Sequence, residues 1–322
     1  MTDQDNARRS VRSAKLERVL VPVDGSPASE RALEYAAHLR PERIVLLRVE
    51  VDEPVGPHVD PADPYERWRR DHLSTVMNEL ESLARSKAAT ADVVEPKIRF
   101  GNPADRIMAE AHDHDLIVMG ATGKGAAGRL LFGSVADRVM RNAITPTLVV
   151  RTNGDEAEIR PPARVVVPLD GSELAERALP MATRVSAALS IPIRLVRCVG
   201  MDEVLHTVRE ARRSGDAELF ESSDDPYKLG QERANREAEA YLEAVPERLG
   251  VAGQNVTCER LSGSAAFELL WSLQEDELVV MTSRGRGGLQ RWVVGSVAEK
   301  LVREAKAPVL LVPVGRAGME SE

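Results

Sequence analysis

Leu116-Ile117-Val118-Met119-Gly120-Ala121-Thr122-Gly123-Lys124-Gly125-Ala126-Ala127-Gly128, followed at Gly133-Ser134-Val135 by a helix-like segment, decides how this chain is read. The stretch runs on to Val150 and returns, altered, from Leu278 to Val312. Four apolar residues stopped at Gly120 predict a buried strand, and the glycines after it predict a loop. Gly133-Ser134 then marks a helix start. The first amides of a helix have no partner within it, and with glycine amides beside them they form a cradle for an anion such as phosphate.

Working outward, the chain alternates apolar strands with helical spacing. Arg18 to Val23 reads as a short strand stopped at Asp24-Gly25-Ser26, with Ser26 as helix cap and Pro27 as first helical residue. A helix to about Leu39, a strand from Arg43 to Val49 and a longer helix from Tyr65 to Lys87 follow. Val93 to Arg99 is a weaker third strand, and Thr147 to Val150 closes the first half. The pattern restarts at Arg164, where Val165-Val166-Val167-Pro168-Leu169-Asp170-Gly171-Ser172 parallels the first strand and turn. Asp24 and Asp170 are 146 residues apart, whereas Gly133 and Gly295 are 162 apart. The second half therefore carries about 16 more residues, expected in the charged segment 201–230 as a surface insertion. Such alternation predicts two α/β units, each a parallel sheet with helices on both faces. The expected division is a tail at 1–16, a domain at 17–152, a linker at 153–163, a second domain at 164–315 and a tail at 316–322.

Composition agrees with two ordinary globular domains in 322 residues, 43% of them hydrophobic and 29% charged. A net charge of −8 and 3% aromatic residues argue against nucleic acid as a partner. No apolar run is long enough to span a bilayer, and the N-terminus lacks a secretory apolar segment, so a cytoplasmic location is expected. Cys198 and Cys258 make no disulfide framework and read as small buried apolar residues.

These motifs resemble the universal stress protein family in its tandem, two-repeat form. The family's nucleotide signature is glycine, two residues, glycine, nine residues, glycine and a hydroxyl residue. Gly120, Gly123, Gly133 and Ser134 match it in full; in the second half Gly285, Gly295 and Ser296 match, with Thr282 in place of the first glycine. The resemblance implies two Rossmann-like (HUP-type) domains, each a five-stranded parallel sheet in the order 3-2-1-4-5. Order reverses between strands 1 and 4, where a ligand crevice opens at the carboxyl ends and Asp24 faces Gly120. It further implies ATP or another adenine nucleotide as ligand. Phosphates would lie on amides at Gly120, Gly123, Gly133, Ser134 and Val135. Asp24 would take a hydrogen bond from ribose or base, and Pro22, Val23 and Val49 would line the base. The second half offers Pro168, Leu169, Asp170, Cys198, Thr282, Gly285, Gly295, Ser296 and Val297. Magnesium or manganese would ride on the phosphates, without a protein cage. An internal pseudo-dimer through the last strand of each half is implied as well; further homodimerisation and a regulatory protein partner stay open.

Other motifs are weaker. Gly123 to Gly128 fits G-x-G-x-x-G but follows the fourth strand, and no acidic strand end lies about 20 residues on. Lys124 lacks the glycine and hydroxyl residue of a P-loop. His112 and His114 bracket Asp113 and read as solvated residues at a helix end, and Arg67, Arg69 and Arg70 as a solvated face. No catalytic triad or paired carboxylates are legible, so the expected role is an adenine-nucleotide-binding regulator of the stress response with slow hydrolysis at most. The alternative is a nucleotide-independent interaction module of the same fold.

Overall fold

The computed structural model describes residues 15–51, 64–88, 91–122, 133–152, 159–214, 225–248, 255–283 and 294–314. Gly123, Gly285, the other loop glycines and both chain ends lie outside them. The first half runs β1 (Arg18–Val23), α1 (Pro27–His38), β2 (Arg43–Glu50), α2 (Pro64–Lys87), β3 (Val93–Phe100), α3 (Pro103–Glu110), β4 (Leu116–Thr122), α4 (Ser134–Asn142) and β5 (Thr147–Thr152). The second runs β6 (Arg164–Pro168), α5 (Glu173–Glu176), α6 (Leu179–Leu189), β7 (Ile193–Val199), α7 (Met201–Ser214) and α8 (Pro226–Arg248). It finishes with β8 (Val256–Ser262), α9 (Ala265–Ser272), β9 (Glu277–Thr282), α10 (Ser296–Glu304) and β10 (Val309–Val312).

All ten strands form one sheet in the order β3-β2-β1-β4-β5-β10-β9-β6-β7-β8. Pairing is parallel within each half, and β5 meets β10 antiparallel with Leu148 opposite Leu310. The two sets of strand carboxyl ends consequently point to opposite edges of the sheet. Strands covered on both faces need apolar residues at every position, which explains the unbroken runs Val19 to Val21, Ile44 to Leu47 and Leu116 to Val118. On one face a single apolar cluster crosses both halves, joining Val21, Leu33 and Val118 to Val167, Leu179 and Leu310. On the other face one cluster belongs to the first half, and the second half's cluster takes in Ala121 and Val149 across the β5–β10 join.

Gly120 shows why one position in β4 had to be glycine. A Cβ built there falls 2.1 Å from the Ala28 carbonyl oxygen, so the first turn of α1 lies directly on the strand. In the second half the same place holds Thr282, which is buried. There the helix after the first strand is split into α5, only four residues long, and α6, and it packs less extensively on β9 than α1 does on β4. The break itself has a local cause: Pro180, in the first turn of α6, has no amide with which to continue the helix from Glu176.

Between the halves, Arg184 of α6 donates to Asp115 Oδ1 at 2.8 Å and to the Lys15 carbonyl at 2.8 Å. Asp115 Oδ2 also accepts the amides of Glu17 and Arg18. Leu16, expected in a tail, is buried beneath this contact. The charged segment 201–230 carries structure of its own. Residues Met201 to Ser214 form a helix whose Val204 and Ala211 are buried, and Gly230 is a buried residue inside α8.

Gly120→Ala is expected to destabilise the protein by roughly 1–3 kcal/mol or more, because the obstacle is backbone and cannot swing aside. Urea unfolding of the two proteins checks it, and equal midpoints would contradict the packing described.

Candidate nucleotide site

The turn after β1 is built by short side chains. Gly25 has φ 81°, a conformation that L side chains rarely take. Asp24 Oδ1 accepts the Ser26 amide at 3.0 Å and the Ser26 hydroxyl at 2.5 Å. Ser26 Oγ in turn accepts the Ser29 amide at 3.3 Å, and so caps α1 as its sequence suggested. Ser29, which sequence reasoning passed over, accepts the Asp24 amide on its hydroxyl and donates to the Ser26 carbonyl. Burial pushes the Asp24 carboxyl up, but the Ser26 hydroxyl and amide and the Ser29 hydroxyl outweigh it and hold the group below its ordinary value. Asp24 is therefore an ionised acceptor at neutral pH. It is exposed, and both Ser26 donors engage the same oxygen, Oδ1.

The second wall is the start of α4. Gly133 is its N-cap, with φ −58° and ψ 141°, and no side chain caps the helix. A Cβ added at Gly133 would meet nothing within 4 Å among the described residues. Ser134 is exposed, and Val135 shares an apolar cluster with Val49, Leu47, Met119 and Ala136. Val49 and Val135 thus border the same apolar cluster on this face of the sheet. Pro22 is buried in β1 opposite Leu47. Val23 lies on the other face of the sheet, in the cluster beneath α1, so only its backbone borders this side. Gly120 sits one strand in, opposite Val150, where packing against Ala28 already accounts for the missing side chain.

The second half repeats the turn with one difference. Asp170 Oδ1 accepts the Ser172 amide at 3.0 Å and hydroxyl at 2.5 Å, and Gly171 has φ 82°. Cys198 and Val297 pack with Val166, Val196 and Met281, as Val49 and Val135 do with their own neighbours. Pro168 is half-buried, and Leu169 lies in the opposite-face cluster, like Val23. Gly295 caps α10 without a side-chain partner, and Ser296 is exposed. Here, however, the Gly295 amide donates to the Ser283 carbonyl at 2.8 Å, and Ser283 donates to Val312. One of the expected anion donors is thus already engaged within the chain.

Cys198 is held apolar, its thiol pushed up to about 12 by burial first and by Glu268 and Glu259 after it. Cys258, expected to be buried, is exposed, because β8 is an edge strand. His114 also departs from expectation. His112 is exposed, but His114 is buried, with Nδ1 2.8 Å from the Glu110 carbonyl and no partner for Nε2 among the described residues. Among the described residues, no three His, Cys, Asp or Glu side chains gather as a metal site.

A parallel sheet whose strand order reverses beside an uncapped helix start defines a Rossmann-like ligand-binding fold. The sequence pattern of the Universal stress protein family matches residues 15–151 and 162–313, and the chain belongs to that family. It is 26% identical over 304 residues to the Mycobacterium tuberculosis universal stress protein Rv2005c, covering 91% of this chain and 96% of that one. A universal stress protein crystal structure from Archaeoglobus fulgidus superposes with a TM-score of 0.61 at 20% identity, over 92% of this chain and 98% of that one. An Arabidopsis thaliana member solved with AMP bound covers 45% of this chain and 97% of its own, with 21% identity and a TM-score of 0.33.

Burial first, with the Arg18 and Lys97 charges also acting, holds His114 below its ordinary 6.5 against the opposing hydrogen bond and charge of Glu110. On acidification the unfolded chain takes up this proton near 6.5 while the folded chain does not. Stability should therefore fall below that pH, by up to about 1.4 kcal/mol per unit from this one group until the lower folded value is reached. Urea unfolding at pH 7 and pH 5.5 checks it: His114→Gln should lose part of the pH dependence, and an unchanged slope would refute the assignment.

Proposed function

We propose that this protein is an adenine-nucleotide-binding regulator of the stress response, with its first half as the principal site. The uncapped start of α4 opposite the Asp24 turn carries this reading. An anion there would meet the amides of Gly133, Ser134 and Val135 and the Ser134 hydroxyl, at the positive end of a nine-residue helix. Gly123, outside the described residues, joins the proposed site through the sequence motif alone. Asp24, with both Ser26 donors on one oxygen, suits a ribose hydroxyl or an exocyclic amine. Val49 and Val135 supply an apolar side for the base. ATP is the nucleotide that the uncapped helix start and the long glycine stretch suit best. A divalent ion, when present, would be held through the phosphates.

Hydrolysis is slow at most on this account. Activating a water needs a general base near the terminal phosphate, and Asp24 is committed to the turn at the opposite wall. The second reading is a nucleotide-independent interaction module. For the second half it has an observation in its favour, since the Gly295 amide is already engaged by Ser283. The two readings combine naturally in one chain, with a first half that binds nucleotide and a second half that responds to it.

Calorimetric titration with ATP tests this. One nucleotide per chain is expected, and Asp24→Ala should weaken it roughly ten-fold or more by deleting a charged acceptor. Absence of binding heat, together with no adenylate released when the purified protein is denatured, would leave only the interaction module.

A further inference from the structure

Arg151 is the last charged side chain of the first half's sheet, and it stands where the two halves meet. It lies in β5 directly opposite Ala121 of β4, which is two residues before Gly123. Ala121 and Val149 belong to the cluster on the face of the sheet that carries α10, whereas Leu148 and Val150 belong to the other face. Side chains alternate along a strand, so Arg151 is on the face of Ala121 and Val149. Helix α4 lies on this same face, through Ala136 and Val139 against Ile117 and Met119.

Helix direction fixes what stands beside Arg151. Met140 of α4 and Val302 of α10 line one small cavity, and Arg141 Nη2 lies 3.9 Å from Glu299 Oε1, so the two helices run side by side. Each returns from the carboxyl end of the strand before it, and the carboxyl ends of the halves point to opposite edges. The helices are therefore antiparallel. Ser134 precedes Arg141 by seven residues, and Ala305 follows Glu299 by six. At about 1.5 Å per residue, both stand about 10 Å from that contact in the same direction. The end of α10 thus reaches the level of the start of α4, one helix spacing of about 8–10 Å away. Arg151 Nη1 donates to the Ala305 carbonyl at 3.2 Å, which puts its guanidinium at this level too.

Among the described residues that is the guanidinium's one hydrogen bond, and no carboxylate pairs with it. Arg151 is half-buried, and burial holds it below its ordinary value, the charge of Glu304 opposing only in part. A guanidinium carries five N–H donors and stays protonated. A half-buried cation with most of its donors unused, level with an uncapped helix start, is ready for an anion. The second half serves as a control. Pro313 stands where Arg151 does, at the 162-residue offset that separates Gly133 from Gly295, so the last strand of that half ends without a cation.

We propose that Arg151 binds the terminal phosphates of the nucleotide held in the first half, and so selects a nucleoside triphosphate over a monophosphate. This role rests on the nucleotide reading proposed above and adds to it the residue that distinguishes tail lengths. Strand order gives the direction. From β1, which ends at Asp24, through β4, which leads to α4, to β5 with Arg151 is two strand spacings, about 10 Å. With base and ribose at Asp24, the first phosphate lies at the amides of Gly133 to Val135, and a longer tail continues toward Arg151. The planar fork of a guanidinium matches phosphate oxygens in pairs.

Calorimetric titration of the full chain with ATP and with AMP, in the parent and in Arg151→Gln, tests the assignment. The parent should bind ATP more tightly than AMP. Arg151→Gln should weaken ATP about ten-fold, as for the loss of charged hydrogen bonds. AMP affinity should stay the same, which also reports an intact fold. Arg85→Gln, at an exposed arginine of α2, should change neither ligand. In the parent, the Arg151 Nε–H resonance should move with ATP and not with AMP, a reading that requires no variant to fold. An unchanged ratio of ATP to AMP affinity in Arg151→Gln, an equal loss of both, or an Arg151 resonance indifferent to ATP would overturn the proposal and leave the nucleotide site standing. A parent that binds neither ligand would overturn both.

Discussion

The first turn of α1 rests on β4 at Gly120, with the Ala28 carbonyl oxygen where a side chain would otherwise stand. That approach sets how closely α1 lies on β4. It lets Pro27–His38 run as one helix capped by Ser26, so the Asp24 turn is held by Ser26 and Ser29 at the end of β1. The neighbouring strand then leads toward α4, whose N-terminal amides have no side-chain cap. In the second half Thr282 stands at that place, Pro180 breaks the helix in two, and the Gly295 amide is taken up by Ser283. Two halves built on one plan thus differ in the donors they present.

The antiparallel join of β5 to β10 gives the chain its second constraint. It makes one sheet of ten strands and one apolar layer common to both halves, while sending the two crevices to opposite edges. Arg184, Asp115 and Lys15 tie the halves together near the start of β1 and β4, and Arg151, at the end of β5, donates to the Ala305 carbonyl at the end of α10. The two halves are therefore one mechanically continuous body.

Much of this was legible in the residues themselves. The strands announced themselves because central parallel strands must be apolar on both faces. The turns did so through Asp-Gly-Ser, and the repeat through its two unequal offsets. The candidate site was legible as a set of residue types around Gly133 and Asp24. What stayed hidden depends on partners distant in sequence. Gly120 read as a phosphate-approach glycine, whereas its missing side chain answers to Ala28, 92 positions earlier. His114 read as solvated because nothing local shows that Arg18 of β1 and Lys97 of β3 lie near it. Cys258 read as buried because its strand looked internal, and only the strand order makes β8 an edge. The helix from Met201 to Ser214 was hidden by its charge, since its valines matter only against the small residues of α8.

Amide resonances of the whole chain followed during titration with ATP give the most direct check on the central claim. The account predicts that the largest displacements fall on Asp24 to Ser26 and on Gly133 to Ala136, with Gly295 to Ala298 shifting little at the same ligand concentration. Equal displacement of the two helix starts, or changes confined to residues away from both, would contradict it.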